Sequence, residues 1–327
     1  MRPEAGPPVR DTEWPALFDL QVNGFGGIDF QRPDLDLASL RRAVKALRRH
    51  HIHRILLTLI TDRIQSLGRK LERFEAFRAT DAVVAETIVG YHLEGPYLSP
   101  VSGYRGAHHA SLMHRPAVRE LEQLWGASAG RVKLITLAPE WPGSEEFIRE
   151  ARRRNIVIAL GHTQAGERDI ARAVAAGATL CTHLGNGVPQ RLPRHDNIVQ
   201  RLLAHDELTA CLIPDGIHLP PFVLKNFFRA KPPGKVVLVS DCTSAAAAAP
   251  GRYTIGRMEI EASPDGVVRR PGQTNFAGSA LTLDRGVANA ATWLNLAPGA
   301  AWRLASTDAA DLFGVKLPNL AKTPAIG

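Results

Sequence analysis

Ile156-Val157-Ile158-Ala159-Leu160-Gly161-His162-Thr163, a helical run, then Ala178-Thr179-Leu180-Cys181-Thr182-His183-Leu184-Gly185-Asn186-Gly187-Val188-Pro189: this stretch decides the fold. The apolar run 156–160 reads as a buried strand that leads to His162. A second short run, 178–181, leads to His183. Between them, 166–176 carries Ile170 and Val174 at helical spacing, and Gly177 stands where a helix stops. The order is strand, helix, strand, with a histidine at each strand exit. In a parallel sheet or barrel, consecutive exits lie side by side at the carboxyl edge. Two imidazoles there can share one metal ion. A single histidine at a strand end is ordinarily just that, but a pair at equivalent places in consecutive units points to a site.

Working outward, the alternation continues on both sides. Strands are expected at 16–22, 55–60, 87–93, 132–137, 156–160, 178–181, 208–213 and 236–239. Helices are expected at 37–49, 64–78, 117–125, 144–153, 166–176, 198–204 and 221–229. Strict alternation of this kind favours an α/β chain closed into a (β/α)8 TIM-type barrel over an open doubly wound sheet. Residues 252–269 break the rhythm and read as a β-hairpin inserted after strand eight, turning at Pro264-Asp265-Gly266. Residues 281–294 and 300–312 read as closing C-terminal helices. The expected domain plan is an N-terminal arm over 1–15, one barrel over 16–317 and a tail over 318–327. Gly24-Phe25-Gly26-Gly27 lacks dinucleotide-fingerprint spacing and reads as a tight strand-to-helix turn.

Composition sets the bounds. The 327 residues are 45% hydrophobic and 22% charged, enough to bury a large core. Cys181, Cys211 and Cys242 are far apart and form no Cys-x-x-Cys pair, so no disulfide framework is expected and a cytoplasmic location follows. No secretory apolar segment and no bilayer-length run is present, so no membrane partner is expected. The net charge of +8 can attract anions. The densest basic run, 41–54, carries Val44 and Leu47 at helical spacing and reads as a solvated helix face. No nucleic-acid motif accompanies it, so no nucleic-acid partner is expected.

The polar residues at the strand exits are Gln21, Asn23, Glu94, Glu140, His162, His183, Asp215 with His218, and Asp241. Glu94, His162 and His183 supply one carboxylate and two imidazoles, the ligand set of a catalytic Zn2+ site that keeps one position open. Asp241, just past strand eight, can take a proton from water and return it to a leaving amine. Glu140 reads as a supporting or surface carboxylate. His92 shares the strand face of Glu94 and either lines the site or packs in the core.

These residues resemble the N-acetylglucosamine-6-phosphate deacetylases of the amidohydrolase superfamily. The resemblance spans about residues 16–315. It rests on Asp19-Leu-Gln-Val-Asn-Gly-Phe-Gly-Gly, His92-Leu-Glu-Gly-Pro, Leu137-Ala-Pro-Glu, Gly161-His-Thr, Thr182-His-Leu-Gly-Asn, Asp215-Gly-Ile-His, Ser240-Asp-Cys-Thr and Gly278-Ser-Ala-Leu-Thr, in that order. It implies that Glu94, His162 and His183 hold the metal and that Asp241 is the acid/base. It implies that His108 polarises the substrate carbonyl, and that Asn186, the amide of Gly187, Arg194 and His218 bind a sugar phosphate. An arginine at the Arg194 position can reach a neighbouring subunit's site in this family, which implies a homodimer. The neutral pair Gln21 and Asn23 stands where related enzymes place a His-x-His for a second metal, so one divalent ion, Zn2+, is expected. Most of the family's small β-sandwich domain is expected to be missing, and Gly187 and the alanine-rich 245–249 depart from the family pattern. Two other readings compete: an amidohydrolase acting on a different anionic amide, and a catalytically weakened barrel with a binding role.

Overall fold

A computed structural model describes residues 14–273 and 275–320. The expected arm lies outside the described residues up to residue 13, and the expected tail does so from residue 321.

Eight parallel strands form one sheet: β1 (Leu17–Val22), β2 (Ile52–Ile60), β3 (Ile88–Glu94), β4 (Val132–Leu137), β5 (Val157–Leu160), β6 (Leu180–Cys181), β7 (Thr209–Leu212) and β8 (Val236–Leu238), each hydrogen-bonded to the next in chain order. Both faces of the strands are covered, which is why they read as continuous apolar runs. Phe18, Leu20, Leu56, Leu134, Val157 and Leu180 point inward and fill the barrel. The outward residues pack beneath α1 (Leu37–Arg49), α2 (Ile64–Thr80), α4 (Val118–Ala127), α5 (Ser144–Arg153), α6 (Glu167–Ala176), α7 (Ile198–Ala204) and α8 (Pro221–Ala230). The expected (β/α)8 barrel is therefore present.

Local chemistry sets the helix ends. The Asp36 carboxylate caps α1 by accepting the Ser39 N–H at 2.7 Å, while Arg48 and Arg49 sit in the last turn. Leu40, Ala43, Val44 and Leu47 form its buried stripe, so the basic run over 41–54 does lie on a helix face in its first part. A short helix, α3 (Ala82–Thr87), precedes β3 and was not expected; Asp81 caps it through the Val84 N–H at 2.9 Å.

Two expectations need correction. The insertion after β8 is a three-stranded antiparallel meander, β9 (Gly251–Ile255), β10 (Met258–Ala262) and β11 (Val268–Arg269), and not a single hairpin. Its first turn is at Gly256–Arg257, where Gly256 adopts φ +62°; Asp265–Gly266 makes the second. The closing region is α9 (Leu283–Leu294) followed by two short helices, α10 (Pro298–Arg303) and α11 (Thr307–Asp311), because the chain breaks at Leu304–Ser306 to bond to the barrel strands. Gly24–Phe25 also pairs with Ile28–Asp29 as a small ribbon, so the glycine-rich turn is an ordered one.

Trp302 of α10 is 2% exposed, meets Trp14 edge-on at 5.3 Å and donates its indole N–H to the Pro15 carbonyl at 2.8 Å. Replacing a buried tryptophan with alanine typically removes about 3–5 kcal/mol. Trp302→Ala is therefore expected to lower unfolding free energy by that amount in urea. A loss under about 1 kcal/mol would show that the docking of residues 14–15 contributes little.

Candidate active site

The strand register aligns the exits. Ile60 of β2 faces Glu94 of β3, and Glu94 faces Thr136 of β4. Leu160 of β5 faces Cys181 of β6, so His162 and His183 leave the sheet next to each other. The Glu94 Oε1 lies 2.9 Å from His183 Nε2 and 3.3 Å from His162 Nε2, and the two Nε2 atoms are 3.1 Å apart. Bonds of ~2.0–2.2 Å to one tetrahedral ion would space such atoms roughly 3.3–3.6 Å apart, so a small outward shift of the three groups would seat it. Two imidazole nitrogens and a carboxylate oxygen this close, all nearly buried, form a donor set that fits a divalent cation.

The surroundings orient these atoms. His162 Nδ1 lies 2.8 Å from the Tyr104 carbonyl; donating its proton there leaves the Nε2 lone pair facing the cluster. Burial by itself would raise the Glu94 pKa, but the neighbouring His162, His183 and His108 rings together hold it well below the usual carboxylate range. Burial opposes charge on His183, but its bond to Glu94 and the charges of Glu94 and Asp241 together outweigh that and raise its pKa. Glu140, expected as a supporting or surface carboxylate, accepts the Thr163 hydroxyl and the Gln164 N–H and so steadies the turn after His162.

The backbone at the exits is strained. His162, His183 and Asp241 adopt φ of +50°, +28° and +48°, in or bordering the left-handed region. Non-glycine residues pay roughly 1–3 kcal/mol each for such conformations, which persist where surrounding structure over-determines them. Gly187 and Gly106 also have positive φ, and both pass so close to His162 that a Cβ would come within 2.7 Å and 2.8 Å of its ring. Only glycine fits these two places.

Asp241 faces the cluster across the cavity floor, with Asn23 Nδ2 donating to its Oδ1 at 3.0 Å. Burial, then the Glu94 charge, pushes the Asp241 carboxyl up to about 6. His108 places Nε2 3.8 Å from Glu94 Oε2, and burial, then the neighbouring His162, lowers its pKa to about 3, so the ring is neutral. His92 stands two residues below Glu94 inside the barrel, bonded to Thr136 Oγ1 at 2.8 Å, beneath the site.

A cavity of about 610 Å3 opens above these groups, and Asn186, Gly187 and His218 line it as expected. His218 is held by Asp215, whose Oδ2 lies 2.6 Å from its Nδ1. Arg194 is exposed on the loop after Pro189 and is not among the residues lining the cavity of its own chain. Sequence reasoning missed four lining or supporting residues. Arg105 lines the cavity; its signal was its place three residues before His108. Thr61 lies 3.0 Å from His108 Nδ1; it follows Ile60 at a strand exit, the same kind of position that marked the histidines. Ile255 and Met258 reach the cavity from the meander and carry no local signal.

Comparison with known proteins places this geometry. No family model matches the chain. The N-acetylglucosamine-6-phosphate deacetylase of Bos taurus is 31% identical over 92% of this chain and 74% of its own length. The N-acetylgalactosamine-6-phosphate deacetylase of Escherichia coli O157:H7 is 30% identical over 94% of this chain and 80% of its own. Among solved structures, the Mycobacterium smegmatis N-acetyl-D-glucosamine-6-phosphate deacetylase in complex with N-acetyl-D-glucosamine-6-phosphate aligns with a TM-score of 0.85 at 28% identity, over 97% of this chain and 84% of that one. At 31% identity over 92% of its length to one such enzyme, the chain belongs to the N-acetylglucosamine-6-phosphate deacetylase family.

Proposed function

We propose that the protein is a metal-dependent amide hydrolase that converts N-acetylglucosamine 6-phosphate to glucosamine 6-phosphate and acetate. The observation that carries the reading is the convergence of Glu94, His162 and His183 opposite Asp241 on the floor of an open cavity. Relatives named for this reaction supply the substrate class. Glu94, His162 and His183 would hold one divalent ion, Zn2+ by the donor set. When bound, such an ion polarises a carbonyl and makes water a stronger acid. Asp241, kept ionised at neutral pH, takes the proton of the attacking water and hands it to the departing amine. Thr61 has one hydroxyl proton to share between His108 Nδ1 and the Glu94 carbonyl, 3.2 Å away. When it serves His108, the ring carries its own proton on Nε2, where it can donate to the substrate carbonyl.

Asn186, the Gly187 N–H, and His218 take the sugar phosphate, and Arg194 completes the set from the neighbouring subunit of a homodimer. The exposed position of Arg194 supports that arrangement. One barrel domain over 16–317 carries the site, in a cytoplasmic protein whose three cysteines are free and buried. Among the described residues no helix is long and apolar enough to cross a membrane.

The test is acetate release by metal-reconstituted protein from N-acetylglucosamine 6-phosphate, its galacto epimer and unphosphorylated N-acetylglucosamine. Preference for the first supports the proposal; preference for the second reassigns the sugar. A metal-loaded protein inactive on all three would be a binding barrel. Charge-assisted hydrogen bonds are worth about 1.5–3 kcal/mol. Arg194→Ala is therefore expected to raise KM for the phosphorylated substrate roughly ten- to hundredfold, with little change on the unphosphorylated sugar. Equal effects on both would remove Arg194 from phosphate recognition.

A further inference from the structure

Hydrogen-bonded pairing runs from β1 round to β8, but those two strands share no ladder. Different groups fill the seam at different heights. Near its base, the Ala305 carbonyl accepts the Phe18 N–H and the Leu304 carbonyl accepts the Leu238 N–H, both at 2.9 Å. At the rim, the Cys242 carbonyl accepts the Asn23 N–H at 2.8 Å. Between them sits Asp19 of β1, which is fully buried. Its Oδ2 accepts the Ser240 hydroxyl at 2.5 Å, and its Oδ1 accepts the Ser240 N–H and the Gln21 N–H, each at 3.2 Å. Ser240 Oγ accepts the Cys242 N–H at 3.1 Å, and Ser279 ties the Ser240 and Asp241 carbonyls from the other side at 2.6 Å and 3.1 Å.

Asp241 thus lies between two residues, Ser240 and Cys242, that are each fastened to β1. It is also the residue that leaves β8 with φ +48°, a conformation needing external support. A carboxylate is a costly group to bury without a cation beside it, and burial pushes Asp19 up to about 7. Closing a seam alone needs no ionisable group. A rigid acceptor for both the hydroxyl and the amide of the residue preceding Asp241 is what this carboxylate adds.

We infer that Asp19 is a positioning residue for Asp241: by gripping Ser240 across the seam it sets the turn that aims the Asp241 carboxylate at the Glu94–His162–His183 cluster. Asn23 holds one oxygen of the side chain, and Asp19 holds the backbone beneath it. The inference rests on Asp241 acting as the acid/base of the proposed reaction.

The test compares metal-loaded wild type, Asp19→Asn, Ser240→Ala and the double variant by kcat, KM, metal content and melting temperature, with Asp241→Asn as reference. Misplacing a reacting group can cost up to about a hundredfold in rate. Each single variant is expected to lose about ten- to hundredfold in kcat, with KM and metal content near wild type. Because both break one link, the double variant is expected to fall no further than the worse single. A lowered melting temperature with unchanged kcat per bound metal would mean a merely structural seam and overturn the inference; so would losses that multiply in the double variant. If Asp19→Asn does not fold, Ser240→Ala decides alone, and wild-type kcat there overturns the inference. An active wild type with an inactive Asp241→Asn and a normal Asp19→Asn overturns the inference while sparing the proposed function. An inactive wild type overturns both.

Discussion

Asp241→Asn is expected to keep the fold and the metal and to lose kcat by about 10²–10⁴-fold, the usual worth of a positioned acid/base group. The substitution is nearly isosteric, and its Oδ1 can still accept the Asn23 N–H that now holds the carboxylate at 3.0 Å. What disappears is the ability to accept a proton from water and deliver it to nitrogen. KM should change little, because Asp241 is assigned to proton transfer and not to binding. Metal content measured beside kcat separates two meanings of a dead enzyme. Loss of metal would make Asp241 a ligand, and activity within about tenfold of wild type would remove it from the proton path.

His183→Ala is expected to be the more damaging change for the ion. His183 Nε2 sits at the junction of the cluster, 2.9 Å from Glu94 and 3.1 Å from His162 Nε2. Removing it leaves a buried carboxylate with one imidazole, two ligands where three are needed to hold a catalytic ion. Since changing even an outer-sphere partner costs ~10–100-fold in metal affinity, loss of a direct ligand should exceed that range, and turnover should vanish with the metal. Competition with a chelator of known affinity measures it. Wild-type affinity in this variant would dissolve the proposed site, whatever the kinetics.

Much of this was legible in the residues because it is local. The helix 37–49 matched the structure to the residue: Asp36 caps it, and Leu40, Val44 and Leu47 repeat at helical spacing. The barrel strands were legible because strands covered on both faces are apolar throughout, and each ended near a polar residue. The pairing of His162 with His183 needed only the assumption that consecutive parallel strands are neighbours. What stayed hidden follows from the same logic. α3 is six residues long, too short for spacing to mark. The turn at Gly256–Arg257 was overlooked beside the stronger Pro264-Asp-Gly signal, though both turns form.

The sequence by itself determined the order of the elements, the barrel class and the ligand types, since each depends on side-chain patterns a few residues long. Tertiary structure decided which further groups meet around that ligand set. Thr61 reaches His108 across 47 positions and Asn23 reaches Asp241 across 218, while Arg194 stays outside its own chain's cavity. Such meetings are set by strand register and by the closing of β1 toward β8. Those depend on packing summed over the whole barrel, and no short stretch of chain records the result.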